Sequence, residues 1–293
     1  MNTGSGRGKE KPMRNHRSTI MLVILFFTGL SVLLYPCVAD YINAKHQSRA
    51  IVAYMEAMRQ ADPAQFAAEL AEARAYNEAI RSDNTRFSPG EEELAAYHHM
   101  LGANNDAIGY LEIPAIRVNL PMYLGTEESI LQVGIGCLPG SSLPVGGSGT
   151  HAVLTGHRGL PSSRLLTDLD QVEIGDTFTM VVLNEPMTYQ VDQIRIVLPQ
   201  ELSDLAIEAE KDYCTLVTCT PYGVNSHRML VRGHRIENPA MAAQTARVVA
   251  DAIQVDPVLV MPMVAAPLLL VFLAVILGQE KGGLGENNRP PRS

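Results

Sequence analysis

Two long runs of apolar residues, one near each end of the chain, carry no charge. They are Thr19–Ala39 and Val258–Leu277, 21 and 20 residues long. Each is long enough to cross the hydrocarbon core of a membrane, which is about 30 Å thick. A cleaved signal peptide is the alternative for the first run, but its apolar part would be unusually long. Pro262 and Pro267 would kink the second helix, which membrane helices tolerate. We therefore predict a transmembrane helix at each end of the chain.

Between the two runs, the pattern changes from helical to extended at Ile108. Residues 40–105 are rich in Ala, Glu and Arg and predict a helical prelude, in which Pro63 suits a helix start. Beyond Ile108, short apolar runs alternate with turn residues, as is typical of strands. The predicted strands lie in "IGYLEIPAIRVNLPMYLG", "THAVLTGH", "DTFTMVVL", "MTYQVDQIRIVLP", "DYCTLVTC" and "HRMLVRGHR". One short helix is predicted in "SSRLLTDLD", with Ser162 or Ser163 as its N-cap. We expect a mainly β fold, a closed barrel of about eight strands with short helices.

These patterns divide the chain into seven predicted segments. They are a cytoplasmic basic tail (1–17), a transmembrane helix (18–39), the helical prelude (40–105), the β-barrel (106–237), a linker helix (238–257), a second transmembrane helix (258–277) and a cytoplasmic tail (278–293).

The charge distribution predicts how the chain is oriented. Basic residues precede the first span and follow the second, so both termini are expected in the cytoplasm and the middle outside. The whole chain has a net charge of −8, and removing +4 for residues 1–17 and +1 for residues 278–293 leaves −13 outside. An outer domain this acidic argues against nucleic acid as a partner.

Cysteine usage directs attention to a reactive thiol. The chain has four cysteines, of which Cys37 lies in the first span and Cys137, Cys214 and Cys219 lie outside. Three is an odd number, so at least one outer thiol should be unpaired. Cys214 is mid-strand, where a buried, inert thiol is expected. Cys219 is the last residue before the turn at Pro221, at a strand end where a thiol can be exposed.

An arginine and a histidine can be placed near Cys219 by strand geometry. If the strands flanking "TPYGVNSH" pair antiparallel, Arg228 returns opposite Cys219, about 5 Å away. Such a guanidinium could activate the thiol or donate to an oxyanion. Nucleophilic catalysis by cysteine also needs an imidazole, and His157 ends the strand "THAVLTGH". His151 begins the same strand about 20 Å away, so only one of the two can serve a single site.

Zinc and thiol-redox chemistry fit the spacing poorly. Cys214, Cys219, His227 and His234 are separated by 5, 8 and 7 positions, which match none of the compact zinc patterns. The two cysteines also lack the Cys-x-x-Cys spacing of thiol oxidoreductases.

The surrounding motifs resemble a known family. "TLVTC" with the following "TPYGVNSHRMLVRG", together with "HAVLTGHRGLP", is similar to the sortases, extracytoplasmic cysteine transpeptidases of Gram-positive bacteria. "SLPVGG", "GHRGLP" and "CTPYG" resemble class C, the pilus-assembling branch, over about residues 70–236. The family's nucleophile, imidazole and arginine fall on Cys219, His157 and Arg228. A second, C-terminal membrane span is also similar to class C.

The resemblance implies a cysteine transpeptidase that needs no metal or organic cofactor. Its substrates would carry an LPxTG-like sorting signal, and its acceptor would be a lysine amine of a pilin. Two alternatives stay open: a sortase that anchors proteins to the peptidoglycan cross-bridge, and a non-catalytic, membrane-tethered peptide-binding scaffold.

One departure from class C concerns the lid, a segment before the barrel with an Asp-Pro-aromatic motif. The corresponding residues, 82–93, begin "SDNTRFSPG", where Asp83 is not followed by proline and Phe87 lies four residues on. A divergent lid that uses Asp83 or Phe87 and an open site are both consistent with this sequence.

Overall fold

A closed β-barrel forms the centre of the molecule. The structure, a computed structural model, describes residues 16–103 and 106–238. Its strands are β1 (Gly109–Ile113), β2 (Val118–Leu124), β3 (Ile135–Cys137), β4 (Thr150–Thr155), β5 (Thr177–Val182), β6 (Glu185–Val197), β7 (Asp212–Thr220) and β8 (His227–Arg235). They pair in the closed order β1-β2-β3-β4-β7-β8-β6-β5. The predicted mainly β barrel of about eight strands is confirmed.

Two parallel pairings distinguish the barrel from a simple meander. β2 pairs parallel with β3, and β4 pairs parallel with β7, whereas the other neighbours are antiparallel. Parallel neighbours need a crossover between them. Both crossovers carry residues of the candidate site, as described below.

The barrel encloses the main apolar core. Alternate side chains of its strands point inward, including Leu111, Met122, Leu154 and Leu216, which are fully buried. Phe178 and Tyr189 stack inside with ring centroids 5.6 Å apart. On the outer face, Val153, Val197, Leu205 and Leu230 form a second, smaller cluster.

Helices precede and cover the barrel, as the composition of residues 40–105 predicts. They are α1 (His16–Gln60), α2 (Pro63–Ile80) and α3 (Glu91–Tyr97), with a short α4 (Glu128–Leu131) between β2 and β3. α2 begins at Pro63 as expected, and the Asp62 side chain caps it by accepting from the Ala64 amide. The buried side-chain amide of Asn77 on α2 pairs with both the N–H and the C=O of Leu143, which fastens the "SLPVGG" loop to the helix.

The first predicted span lies within α1, which continues past it without a break. One segment of the described residues, Val23–Gln60, contains a stretch with the length and composition to cross a membrane. Its side chains in the apolar part, such as Leu25, Val32 and Leu33, are exposed in the absence of lipid. The predicted linker helix (238–257), second span (258–277) and both tails lie outside the described residues, apart from Asn238 and the start of α1 at residues 16–17.

The predicted helix in "SSRLLTDLD" is wrong. Residues 161–168 form turns and a bridge, followed by a single 3₁₀ turn at Leu169–Gln171. Leu165 has a φ of 40°, which a right-handed helix cannot contain. Neither Ser162 nor Ser163 is an N-cap, because no helix starts directly after them, and the Ser163 hydroxyl instead accepts a hydrogen bond from the Gln47 side chain of α1.

Candidate active site

The ends of β4, β7 and β8 bring the three predicted site residues to one end of the barrel. In the antiparallel β7–β8 pair, Cys219 stands directly opposite Arg228, as the loop length predicts. In the parallel β4–β7 pair, the last paired residues are Thr155 and Val217, and His157 follows two residues beyond them, just past the end of β4. Cys219 on β7 therefore has an arginine directly opposite it on β8, while the histidine lies in the loop that follows β4, the other neighbour of β7.

The two faces of β7 separate its two thiols. Cys214 points into the barrel, is fully buried and lies 3.5 Å from the Met180 sulfur. Burial raises the pKa of the Cys214 thiol well above its ordinary value. Cys219 points to the outer face and is half-buried. The predicted difference in burial between the two thiols is confirmed.

Backbone and side-chain hydrogen bonds fix the loop that carries His157. The Gly156 amide donates to Val217 O over 3.1 Å, and the Thr218 hydroxyl donates back to Gly156 O over 2.8 Å. The nearly buried Arg158 guanidinium reaches Thr220, the last residue of β7, and forms an ion pair with Asp170. The histidine is therefore attached to the same strand that carries the cysteine.

His157 contacts a residue that sequence reasoning missed. Its Nε2 lies 3.1 Å from a carboxylate oxygen of Glu128, at the start of α4. A carboxylate accepts, so Nε2 carries the proton and Nδ1 is left as the nitrogen that can exchange one. Hydrogen bonds from Gln132 and from His157 lower the pKa of the Glu128 carboxyl, so that it stays ionised. The available signal was an acidic residue just after a strand, but only the parallel β2–β3 crossover brings it to the site.

The Arg228 guanidinium is directed at the loop that joins β7 to β8. Its Nη1 donates to the carbonyl oxygens of Asn225 and His227, over 3.2 and 3.1 Å. Both bonds use one nitrogen, so the guanidinium keeps further donors for an oxyanion or a peptide. The arginine both braces the loop and offers a cationic donor at the level of Cys219.

The two candidate lid residues differ in their contacts. The Asp83 carboxylate accepts hydrogen bonds from the amide and the hydroxyl of Thr85, and these bonds lower the pKa of the Asp83 carboxyl. Both bonds lie within the turn that contains Asp83. Phe87 packs on the outer-face cluster, as does Val217, which lies two residues before Cys219 on the same face of β7. The Arg86 side chain also donates to Leu205 O of that cluster. Of the pair, Phe87 is the one that contacts the surface beside the thiol.

A cavity of about 550 Å³ lies away from these residues. It is bounded by α2, the start of β7 and the β5–β6 hairpin, and its lining includes Arg74, Asp212 and Arg235. Asp212 begins β7, whereas Cys219 is near its end. The geometry of the strand ends, not this cavity, therefore defines the candidate site.

Comparison with known proteins agrees with this geometry. The sortase domain family matches residues 111–236. Among solved structures, sortase C1 from Streptococcus agalactiae is 48% identical with a TM-score of 0.63, over 65% of this chain and 100% of that chain. Clostridium perfringens sortase C, solved with the C-terminal cell wall sorting motif, is 37% identical with a TM-score of 0.59, over 65% of this chain and 100% of that one. The chain belongs to the sortase family.

Its position within the family is that of class C, because these structural neighbours are class C sortases. A more distant relative is Sortase D of Bacillus subtilis, 30% identical over 133 residues. That match covers 44% of this chain and 64% of the relative, so the chain spans less than two thirds of this curated relative's length.

Proposed function

We propose that the chain is a membrane-anchored cysteine transpeptidase that cleaves an LPxTG-like sorting signal and joins the acyl group to a pilin. The observation that carries the proposal is the position of Cys219, directly opposite Arg228 on β8 and at the same end of the barrel as His157, which follows β4. The similarity to a sortase C that was solved with a sorting motif supports the substrate class.

In the first step, the Cys219 thiolate attacks the carbonyl carbon between Thr and Gly of the signal. A C–S bond forms, the C–N bond breaks, and protonated His157 gives its proton to the leaving glycine amine. Arg228 stabilises the negative oxygen of the tetrahedral intermediate. Glu128 acts as a positioning residue: it holds the Nε2 side of the imidazole and leaves Nδ1 to transfer the proton.

In the second step, a lysine amine of a pilin attacks the thioester. An isopeptide C–N bond forms, the C–S bond breaks, and His157 takes the proton that the amine loses. The thiolate is regenerated, so the cycle balances without an added cofactor.

The proposed location is the cell membrane, with two spans, an extracytoplasmic barrel and both termini in the cytoplasm. The apolar, exposed side chains at the start of α1 support the first span. The second span rests on the sequence of residues 258–277 alone. The lipid membrane is thus a partner, alongside pilin or surface-protein substrates.

We also propose that residues 82–90 form a divergent lid that relies on Phe87 rather than Asp83. The test compares two single variants by the rate at which a thiol reagent labels Cys219. Phe87→Ala should speed labelling, since it removes apolar packing beside Val217, whereas Asp83→Ala should not. Equal rates for the unchanged chain and both variants would mean that the site is open.

The transpeptidase proposal is tested by incubating the purified full-length chain with candidate pilins and identifying products by mass spectrometry. An intermolecular isopeptide that disappears in Cys219→Ala is expected. Attachment only to cross-bridge amines would instead indicate a sortase that anchors surface proteins. Polymers that persist in Cys219→Ala would support a non-catalytic scaffold.

A further inference from the structure

One face of α1 follows the barrel from a point just beyond the apolar run. The residues that contact the barrel recur every three or four positions, the spacing of a single helix face: Asp40, Asn43, Gln47, Ile51 and Tyr54. Asp40 and Tyr54 are 14 residues apart, or about 21 Å along the helix. The contacts made at the two ends of this stripe therefore show which end of the barrel is nearer the apolar run.

The membrane-proximal end of the stripe contacts the loop that follows His157. The Arg164 amide donates to Asp40 Oδ1 over 2.8 Å, and the Asn43 side chain donates to Ser162 O over 2.7 Å. The buried Gln47 side chain donates to the Ser163 hydroxyl over 3.1 Å. This loop begins only a few residues after His157, and the Leu166 amide donates back to His157 O.

The other end of the stripe contacts the opposite part of the barrel. Ile51 and Tyr54 pack with Tyr110 of β1 and Val181 of β5, close to the β5–β6 hairpin. The Tyr54 and Tyr110 rings meet edge to face, 6.4 Å apart. The order of contacts along α1 thus places the candidate active site nearer to the apolar run than the hairpin is.

No spacer separates the apolar run from the barrel. The run ends at Ala39, and the next residue, Asp40, already binds the loop after His157. From Asp40 to Gln47 the helix rises about 11 Å. The loop after His157 therefore lies within about that distance of the end of the apolar run.

The β7–β8 loop at the same end of the barrel exposes apolar surface. Tyr222 and Val224 are 61% and 69% exposed. The Tyr222 ring lies over Gly159, where a Cβ would come within 2.8 Å of the ring, so this loop and the one after His157 are adjacent. Tyrosine is enriched where one end of a side chain meets lipid and the other meets water.

We propose that the end of the barrel carrying Cys219 faces the outer lipid surface, with the Tyr222–Val224 loop at the interface, and that α1 fixes its height. This inference rests on the proposed function only for the membrane location of α1. It implies that a membrane-anchored substrate is cut at a set distance above the bilayer, because both proteins are held to the same surface.

A fluorescence experiment tests the orientation without requiring activity. The chain has no tryptophan, so Tyr222→Trp in the full-length protein provides a single reporter. Glu185→Trp is the matched control, since Glu185 is exposed and begins β6 at the hairpin. In phosphatidylcholine vesicles, lipid brominated near the headgroup should quench Tyr222→Trp strongly and Glu185→Trp little. Equal quenching, or stronger quenching of Glu185→Trp, would overturn the proposal.

A helix insertion tests the height. Seven residues of Ala, Glu and Lys between Ala39 and Asp40 add about two turns, which raise the barrel by about 10 Å while nearly preserving the helix face. Cleavage of a soluble LPxTG-like peptide should not change, whereas cleavage of the same peptide on a membrane-spanning tail should fall. Three extra residues between motif and tail, about 10 Å when extended, should restore it.

The outcomes separate this inference from the proposed function. If the insertion leaves cleavage of the anchored peptide unchanged, α1 does not set the height. If the unchanged chain cuts neither peptide, the proposed function fails, and the fluorescence result still decides the orientation.

Discussion

One histidine lies at the start of β4 and another two residues beyond its end, and the two imidazoles have opposite surroundings. His151 is 1% exposed, and both ring nitrogens are occupied. Nδ1 lies 2.8 Å from Ala206 O, to which it must donate, so Nε2 accepts from the Thr215 hydroxyl 2.7 Å away. His157, beyond the other end, has a side chain that is 25% exposed and only its Nε2 contacts a carboxylate.

The difference shows that burial and partners, not residue type, decide which histidine can exchange protons. Burial, with the hydrogen bond to Ala206 opposing it, lowers the pKa of His151 to about 4, which keeps the ring neutral at physiological pH. His157 instead lies next to the ionised Glu128 carboxylate, at the same end of the barrel as the Cys219 thiol. Variants of the two histidines and of their neighbours test this contrast between a buried, structural imidazole and a partly exposed one.

The largest effect is expected for substitution of His157, the partly exposed histidine. His157→Ala should lower kcat/KM for sorting-peptide cleavage by about 10²–10⁴-fold, the usual contribution of general acid–base catalysis. Thermal unfolding should change little, because the ring is partly exposed. His151→Ala is the matched control and should show the reverse, a lower unfolding temperature with residual activity. Activity of His157→Ala within tenfold of the original would remove His157 from the mechanism.

The next largest effect is expected for the arginine opposite the thiol. Arg228→Ala should reduce kcat by about 10²–10³-fold, as for the loss of one oxyanion donor. Arg228→Lys should restore only part of it, because an ammonium lacks the planar set of donors. Arg195→Ala on β6, where the arginine pairs with Asp204, is the control and should be nearly silent. A silent Arg228→Ala would mean that the arginine only braces the β7–β8 loop.

The buried His151 predicts that the stability of the protein depends on pH. The pKa of His151 is about 4 in the folded chain and about 6.5 when unfolded, so below pH 6.5 the unfolded chain binds the extra proton. Stability should therefore fall as pH drops from about 6.5 to 4, by about 3 kcal/mol in total, and not change further from this group below pH 4. Urea unfolding across that range checks it.

The control for this pH effect is His151→Gln. That variant should be less stable at pH 7, because Ala206 O and the Thr215 hydroxyl lose a well-placed partner, but its stability should depend less on pH. An identical pH slope in the variant and the original would assign the acid sensitivity to other groups.

The smallest effect is expected for the carboxylate beside His157. The Glu128 side chain is 65% exposed. Exposed ion pairs contribute little, so Glu128→Gln should lower kcat/KM only modestly, by up to about fivefold. A purely structural role would not alter the pH–rate profile, whereas loss of the carboxylate should move its alkaline limb to lower pH. Glu127→Gln, whose carboxylate contacts His98, is the matched control and should leave that limb in place.

The local sequence pattern was enough to predict the features that depend on nearby residues in the chain. The alternation along "DYCTLVTC" separated Cys214 from Cys219, and the length of the following loop placed Arg228 opposite the thiol. Spacing favoured His157 over His151 only weakly, because the two histidines lie at opposite ends of the same predicted strand, "THAVLTGH". The resemblance to sortases supplied the rest of that choice.

What could not be predicted depends on long-range pairing. Glu128 reaches His157 because β2 and β3 pair parallel, and nothing in the local pattern indicates that crossover. The helix predicted after His157 does not form, because residues 162–164 bond to α1, which lies more than 110 positions earlier in the chain. The unbroken course of α1 was hidden by the change of composition at residue 40.

The closed ring of strands has a consequence for how a peptide can be recognised. An open sheet offers an edge to which an extended peptide can add as a further strand, whatever its sequence. A closed barrel has no such edge, so a sorting signal must be read by side chains and loops on the outer face. The same closure protects the barrel from pairing with extended segments of other chains, and so favours selective over non-specific binding.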